Sequence, residues 1–292
     1  MYKFEYKKIN AFSVRNSNGN PAACLYMKSG QQLSESEMLS IAKEHKGFVS
    51  EVIYCTPLNE SVFRLKYYSS ECEVEFCGHG TIACMYELIK SNVYLQSLPE
   101  ITIKTNKGEL TVYNELSLLD AVFITAPAPQ FLPVRVAKND VGMHLGITPV
   151  MMDDNYSMEL IDAGLRTLIV PIETLEDVLE MNPDEAGLKE FCVANGIDII
   201  LIFTTEAVNK DNRARTRVFA PKFGYLEDPA TGSGNSAFGY YMLRHNMWNG
   251  NAISIEQNGE TENYNIVKLK TANNKVLFGG GAVTKIEGTY FL

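Results

Sequence analysis

The chain has 292 residues, of which 46% are hydrophobic, and this length and composition suit two domains with a core each. A net charge of −9 argues against nucleic acid and an anionic membrane as partners, so local groups must bind any anionic ligand. The N-terminal segment lacks the apolar stretch of a secretory signal, and the strongest apolar run, 199–203, is too short to span a bilayer. We therefore expect a cytoplasmic protein that binds neither nucleic acid nor membrane.

The first half is predicted to be rich in strands and to contain two helices of different character. Ser34 and Glu37 form a capping box that predicts the start of an amphipathic helix. A second helix, over about 81–90, is apolar on nearly every side, which is typical of a helix inside a fold. Strands are expected near 2–12, 22–27, 51–56, 61–69, 100–105 and 108–114.

Prolines at Pro127, Pro129 and Pro133 predict a linker, with an N-terminal lobe over 1–126 and a C-terminal lobe over 127–292. The alternative that the last strands cross back to the first lobe is left open. In the second half, strands are expected near 158–163, 166–171, 197–204, 215–220, 252–257, 263–270, 275–279 and 282–287. Helices are expected at 174–181, 185–194 and, again apolar, about 235–245.

Two segments in the two halves are variants of one pattern. Cys77-Gly78-His79-Gly80 aligns with Thr231-Gly232-Ser233-Gly234, and the register continues with Ala83 on Ala237, Tyr86 on Tyr240 and Lys90 on Arg244. Glycines at the start of a helix let backbone amides approach a ligand, and the helix dipole favours an anion there. Two such helix starts facing each other would form a cleft suited to a small carboxylate.

Two polar residues of the first half are candidates for acid–base chemistry. Glu51 begins an apolar strand, so it lies either at a sheet edge, which composition alone favours, or in an apolar pocket that raises its pKa. His79 lies between two glycines and is either a helix cap or an acid–base group. The sequence alone leaves both alternatives open.

Asp228 and Cys77 also have two interpretations each. Asp228 precedes a proline and a helix, which fits an Asx turn as well as a role in the site. Cys77 is either a small buried residue or a nucleophile or base activated by the helix N-terminus. The spacing of Cys72, Cys77 and His79 is poor for zinc, and the six cysteines include no CxxC pair, so we expect reduced thiols and no metal.

A dinucleotide site is the competing interpretation of the second glycine-rich segment. Residues Gly232–Ala237 fit GxGxxA, and Glu256 lies at a suitable distance to bind a ribose. That fingerprint requires a strand running straight into the glycines, whereas the expected strand ends near Ala220 and Pro221 and Pro229 then interrupt the chain. Dinucleotide binding is therefore disfavoured.

Several motifs together resemble the PhzF family of phenazine-biosynthesis-like proteins, which have the diaminopimelate epimerase-like fold. The resemblance runs nearly from end to end of the chain. The motifs that carry it are Asn10-Ala11-Phe12, Gly19-Asn20-Pro21-Ala22-Ala23, Ser50-Glu51, Cys77-Gly78-His79-Gly80-Thr81, Arg217-Val218-Phe219-Ala220-Pro221 and Glu227-Asp228-Pro229-Ala230-Thr231-Gly232-Ser233.

The resemblance implies an α+β fold of two similar lobes, each a rolled, mostly antiparallel sheet around a central helix, with the active site in the cleft between them. It implies a cofactor-free isomerase that moves a proton on a small cyclic or amino-acid-like carboxylate. It also implies that the protein is a homodimer. The implied catalytic residues are Glu51 as acid/base, with His79 and Asp228. The implied substrate-binding residues are Gly78, Gly80, Thr231, Gly232 and Ser233, with Cys77 and Asn20 as possible auxiliary residues.

One departure from the epimerases of this fold limits the mechanism. Those enzymes use two cysteines as opposed bases, and here Cys77 matches the first while Thr231 stands in place of the second. A threonine hydroxyl is too weak a base for that role, so a two-thiol racemase is disfavoured. An epimerase that uses Cys77 alone and a non-catalytic binding protein remain the alternatives.

Overall fold

The computed structural model describes residues 2–14 and 16–292. Its strands are β1 (Lys3–Ala11), β2 (Asn20–Tyr26), β3 (Val52–Pro57), β4 (Val62–Tyr68), β5 (Glu73–Val74), β6 (Glu100–Thr105), β7 (Gly108–Asn114), β8 (Val122–Thr125), β9 (Gln130–Leu132), β10 (Glu159–Asp162), β11 (Arg166–Pro171), β12 (Ile199–Thr204), β13 (Ala214–Phe219), β14 (Glu227–Asp228), β15 (Ile253–Gln257), β16 (Asn265–Ala272), β17 (Lys275–Gly280) and β18 (Ala282–Phe291). Its α-helices are α1 (Glu35–Glu44), α2 (Gly78–Lys90), α3 (Val93–Ser97), α4 (Leu116–Leu119), α5 (Lys138–Leu145), α6 (Leu175–Glu180), α7 (Glu185–Ala194) and α8 (Gly232–Arg244). Short 3-10 helices span Pro149–Met151 and Pro221–Phe223.

The chain divides into two compact units, one running through Thr125 and including Gly279–Leu292, the other spanning Ala126–Phe278. In the first unit, β1 is antiparallel to both β2 and β18, and β2 is parallel to β3. Strand β4 is antiparallel to β3 and β5 and parallel to β6, and β6, β7 and β8 follow as antiparallel neighbours. Helix α2 packs on β1, β2 and β3.

The second unit repeats this topology with its own strands. Strand β10 is antiparallel to β9 and β11, and β11 is parallel to β12. Strand β13 is antiparallel to β12 and β14 and parallel to β15, which pairs with β16 in antiparallel fashion. Helix α8 packs on β10, β11, β12 and β16. The predicted fold class, two lobes that each wrap a sheet around a central helix, is therefore confirmed.

The two central helices are buried because apolar and small residues cover nearly their whole circumference. Residues 80–86 of α2 and 234–242 of α8 are all buried. Each helix lies close against its sheet: a Cβ on Gly80 would lie 2.8 Å from the Ile53 side chain, and one on Gly234 would lie 3.3 Å from the Ile199 side chain. Alanine at Gly80 would therefore require the Ile53 side chain or the helix to shift.

Sequence patterns predicted most regular elements within two residues but misplaced both central helix starts. The capping box at Ser34 is present, with the Glu37 amide bonded to the Ser34 hydroxyl and the Glu37 carboxylate bonded to the Ser34 amide. Helices α2 and α8 begin at Gly78 and Gly232, three residues before the predicted starts, so the glycines lie within the first turn. Within the described residues, no helix is long and apolar enough to cross a bilayer.

Candidate functional site

The start of α2 is fixed by Cys77, the residue that caps it. Strand β5 leads the chain in, and Cys77 adopts an extended backbone at φ −128° and ψ 113°. Its sulfur accepts a hydrogen bond from the Gly80 amide at 3.3 Å, and its carbonyl accepts one from the Thr81 hydroxyl at 2.7 Å. The buried Tyr67 hydroxyl lies 2.7 Å from the Thr81 hydroxyl. Hydrogen bonds to both backbone and side-chain atoms therefore fix the first turn of α2.

Three of the candidate residues converge at this helix start. Glu51 immediately precedes β3, and its backbone carbonyl accepts a hydrogen bond from Ala23 of the neighbouring strand. Its carboxylate Oε2 lies 3.2 Å from Nε2 of His79 and 3.7 Å from Sγ of Cys77. The sulfur of Cys77 lies 3.5 Å from Nδ1 and 3.8 Å from Nε2 of His79. A carboxylate, a thiol and an imidazole thus form one contiguous cluster.

The cluster is largely shielded from water but still reachable. The side chain of Glu51 is 20% exposed and that of His79 is 14% exposed, while Cys77 is buried. The pocket interpretation of Glu51 therefore describes its surroundings better than the sheet-edge interpretation. The first-turn amides of a helix have no acceptor within the helix, so Gly78 and His79 offer backbone donors at the same place.

The pKa values in the cluster favour a charged pair. Burial raises the pKa of Glu51, but the hydrogen bond and charge of His79, aided by Cys77, bring it below its ordinary value of 4.5. Burial lowers the pKa of His79, but Cys77 and Glu51 outweigh this and hold it well above 6.5. Burial raises the pKa of the Cys77 thiol. These directions favour an ionised Glu51 beside a protonated His79.

This result corrects the expectation that an apolar environment raises the pKa of Glu51. Of the apolar residues that flank Glu51, Val52 and Ile53 are buried, but Phe48 is 45% exposed and lies under the ammonium of Lys8. Desolvation does act on the carboxylate, yet a cation 3.2 Å away outweighs it. Glu51 is therefore ionised and ready to accept a proton at neutral pH.

The start of α8 repeats the backbone geometry of α2 with different side chains. Thr231 occupies the N-cap position of α8 with φ −121° and ψ 112°, close to the values of Cys77, and both helices have 13 residues. The hydroxyl of Thr231 accepts no hydrogen bond from the amides of the first turn; it accepts one from the Gln257 side chain instead. A Cβ on Gly232 would lie 2.3 Å from the ring of Phe278, so only glycine fits there.

The loop that enters α8 is anchored at both ends. Arg217 binds Glu227 through two hydrogen bonds of 3.1 and 2.8 Å, and it also donates to the carbonyl of Met181. Asp228 accepts a hydrogen bond from the Ala230 amide at 3.3 Å, which is the Asx turn considered above. The Asp228 side chain remains partly exposed.

Gln257 is the main residue at this site that sequence reasoning missed. Its amide nitrogen donates to the Asp228 carbonyl at 2.8 Å and to the Thr231 hydroxyl at 3.1 Å. Its amide oxygen accepts from the Thr231 amide at 3.0 Å and from the Asn235 side chain at 2.7 Å. Gln257 is fully buried at the end of β15, so all its hydrogen-bonding capacity is directed at the helix start. Its signal in the sequence was weak, because β15 also carries the polar residues Ser254 and Glu256.

The predicted site residues fall into three groups in the structure. Glu51, Cys77, Gly78, His79 and Gly80 lie together at the start of α2. Asp228, Thr231, Gly232 and Ser233 lie together at the start of α8. Asn20 is buried at the first residue of β2. Within the described part of the chain, Glu51, Cys77 and His79 are also the set of acidic, cysteine and histidine residues whose arrangement could hold a metal ion, with ligand atoms all within 4.8 Å.

Comparison with known proteins places this architecture in a family. The sequence model of the phenazine biosynthesis-like protein family (PhzC-PhzF) matches residues 9–288. A relative from Bacillus subtilis, named uncharacterized isomerase YfhB, is 30% identical over 264 residues, covering 89% of this chain and 88% of its own. The crystal structure of a PhzF-family protein from Bacillus anthracis has a TM-score of 0.82 at 23% identity, and each chain covers all of the other.

A more distant structural likeness concerns the fold alone. The structure of a hydroxyproline epimerase from Agrobacterium vitis has a TM-score of 0.56 at 10% identity and covers 99% of this chain and 91% of its own. The match of the family model over nearly the whole chain, together with the isomerase names of the relatives, confirms the resemblance noted in the motifs. The chain belongs to the phenazine biosynthesis-like family and is an isomerase of the diaminopimelate epimerase-like fold.

Proposed function

We propose that the protein is a cofactor-independent isomerase that shifts a proton between two carbons of a small carboxylate, with Glu51 as the proton-transfer group. The observation that carries the proposal is the 3.2 Å contact between the Glu51 carboxylate and His79 at the start of a buried helix. A general base must be ionised at working pH and within reach of a substrate. Glu51 meets the first condition through its lowered pKa and the second through its partial exposure.

The two charges give Glu51 and His79 complementary roles. Glu51 accepts a proton from a carbon next to an activated system, and negative charge then develops on the substrate. The imidazolium of His79 stabilises that charge by donating a hydrogen bond to it, while keeping its proton, in a site where water is largely excluded. The protonated Glu51 then returns its proton to the second carbon, which restores the enzyme without a cofactor.

The substrate class follows from the backbone rather than from the side chains. A chain with a net charge of −9 repels anions at long range, so a carboxylate must be bound by local donors. The first-turn amides at Gly78 and His79 supply such donors, and the α2 dipole adds to their attraction. From their place in the second copy of the repeat, we assign substrate binding to Thr231, Gly232 and Ser233, and an orienting role to Asp228.

The alternative with specific support is an epimerase in which Cys77 acts as the base. Its sulfur lies within 3.8 Å of both other members of the cluster, and a hydroxyproline epimerase shares the fold. Against it, burial raises the pKa of Cys77 and keeps the thiol protonated. The cysteine used as opposed base in two-thiol enzymes is also replaced by Thr231.

Isotope exchange from solvent tests the proposal. The protein is incubated in D₂O with a panel of cyclic and amino-acid-like carboxylates, and each compound is analysed for mass gain and for isomerisation. We expect deuterium incorporation together with a shifted double bond or substituent. Incorporation accompanied only by inversion of a stereocentre would favour the Cys77 epimerase, and binding with neither incorporation nor isomerisation would show a non-catalytic protein.

A further inference from the structure

The cluster of Glu51, Cys77 and His79 has a second chemical capacity besides acid–base work. It brings together a carboxylate oxygen, a sulfur and an imidazole nitrogen, which are the three ligand types found around zinc. From its ligand types and its geometry, we propose that these three residues form a binding site for Zn²⁺. The site binds the ion reversibly through three protein ligands and leaves the fourth coordination position open.

The distances agree with a tetrahedral ion. Zinc bonds of about 2.3 Å to sulfur and about 2.0–2.1 Å to nitrogen and oxygen place tetrahedral ligand atoms roughly 3.3–3.6 Å apart. The observed separations are 3.2 Å between Oε2 of Glu51 and Nε2 of His79, and 3.7 and 3.8 Å from Sγ of Cys77 to these two atoms. Shifts of a few tenths of an ångström bring all three atoms onto one ion.

The three ligands come from two segments of the first unit. Cys77 and His79 lie two residues apart at the start of α2, where the Gly80 amide already bonds to the sulfur and would support a thiolate. Glu51 arrives from the residue preceding β3. Glu51 lies 26 residues before Cys77, so the spacing of Cys72, Cys77 and His79 gave no sign that a carboxylate joins them.

The donor set selects among ions. Sulfur and imidazole favour zinc over magnesium and calcium, which prefer oxygen ligands. Coordination uses a thiolate, a neutral imidazole and a carboxylate, so binding releases protons to the solvent. With 14% and 20% of the His79 and Glu51 side chains exposed, the ion has a route in and a water molecule can complete its coordination.

Zinc in this cluster would inhibit the isomerase, a consequence that rests on the proposed function. A metal-bound Glu51 carboxylate is a weaker base toward a carbon-bound proton, and the metal-bound Nε2 of His79 carries no proton with which to stabilise charge on the substrate. Zinc and substrate would therefore exclude each other, and a chelator would restore turnover. The binding itself does not depend on the reaction and is tested separately.

The test begins with the metal-free full-length protein and a non-thiol reductant. Titration with Co²⁺, a spectroscopic substitute for zinc, is followed in the near ultraviolet, where a thiolate bound to cobalt absorbs. We expect this band to saturate at one equivalent and to disappear when Zn²⁺ is added. The absence of the band in the wild-type protein would overturn the proposal.

Variants then locate the site. We expect Cys77→Ser to lose the thiolate–cobalt band and His79→Gln to show it only weakly. The zinc affinity of each variant, measured by competition with a chromophoric chelator, should fall at least about tenfold. The matched control is Cys72→Ser, because Cys72 is an exposed free cysteine, and it should bind like the wild type. Unchanged affinity in Cys77→Ser, or loss of the band in Cys72→Ser, would place the metal elsewhere and refute the site.

Folding and function are kept apart in the design. If Cys77→Ser fails to fold, as judged by circular dichroism, the titrations of the wild type, Cys72→Ser and His79→Gln still decide whether the cluster binds the metal. Deuterium incorporation is then measured with and without one equivalent of Zn²⁺. Zinc binding without any incorporation in either sample would contradict the proposed function and leave the metal site standing. Incorporation that persists with bound zinc would contradict the inhibition.

Discussion

Replacing Gln257 by leucine is expected to destabilise the start of α8 more than any other single polar change there. The glutamine makes four hydrogen bonds in a fully buried environment, and leucine is of similar size but makes none. The change leaves the Thr231 amide without its acceptor and removes one donor from the Asp228 carbonyl and one from the Thr231 hydroxyl. Asn235 keeps a second bond, since its side chain also donates to the Thr231 carbonyl at 2.9 Å.

The magnitude follows from the groups left unsatisfied. An orphaned buried polar group such as the Thr231 amide costs about 1–3 kcal/mol, and each of the two further lost hydrogen bonds costs about 0.5–1.5 kcal/mol, partly offset by the added apolar surface. We expect a net loss of about 2–4 kcal/mol, which is a large part of a typical total stability of about 5–15 kcal/mol.

The assay must report on this helix rather than on the whole chain, because the chain has two units. Native-state hydrogen exchange at the Thr231 and Asn235 amides measures the local opening free energy directly. Gln257→Glu is the informative companion, since it keeps an acceptor for the Thr231 amide and loses both donors. Gln96→Leu, at an exposed glutamine, is the control and should change stability by less than about 0.5 kcal/mol. Protection in Gln257→Leu equal to that of the wild type would refute the reasoning.

Three further predictions concern the helix starts and their charges. Cys77→Ala should retain the main activity in steady-state assays, whereas a loss of about a thousandfold would favour the epimerase alternative. Gly232→Ala should lower both thermal stability and kcat/KM, because its Cβ would lie 2.3 Å from the Phe278 ring; normal values would show that the contact relaxes freely. The Glu51–His79 pair should stabilise the fold most between about pH 4.5 and 6.5. The lowered pKa of Glu51 makes its contribution fade as pH falls through the folded-state value, and the raised pKa of His79 makes its contribution fade as pH rises through its own. Urea titrations of wild type and His79→Gln across pH check this, and a pH-independent difference would contradict it.

Local patterns in the sequence were sufficient for the fold because each central helix is apolar on all sides and begins with small residues. The repeat of Cys77-Gly78-His79-Gly80 in Thr231-Gly232-Ser233-Gly234 is reproduced in the nearly equal backbone angles of Cys77 and Thr231. Two-residue strands such as β5 and β14 and short helices such as α4 were not predicted. They are too short to show periodicity and form only because a neighbouring strand or loop pairs with them.

The electrostatics of the site could not be predicted in the same way. The apolar residues after Glu51 correctly indicated burial, but the direction of its pKa shift depends on a histidine 28 residues away in sequence and 3.2 Å away in space. Gln257 shows the same limit, since its partners Asp228 and Thr231 lie on another element. A sequence shows which residues are polar within apolar segments, and the tertiary structure decides what they face.

The most direct test of the central claim compares deuterium incorporation by the wild type and by Glu51→Gln on the same turned-over carboxylate. Glutamine keeps the shape and can still bond to His79, so folding and ligand binding should survive while proton transfer is lost. We predict a fall in the incorporation rate of at least about a hundredfold, with the ligand dissociation constant changed only slightly. Incorporation at the wild-type rate in a folded Glu51→Gln protein would contradict the assignment of Glu51 as the proton-transfer group.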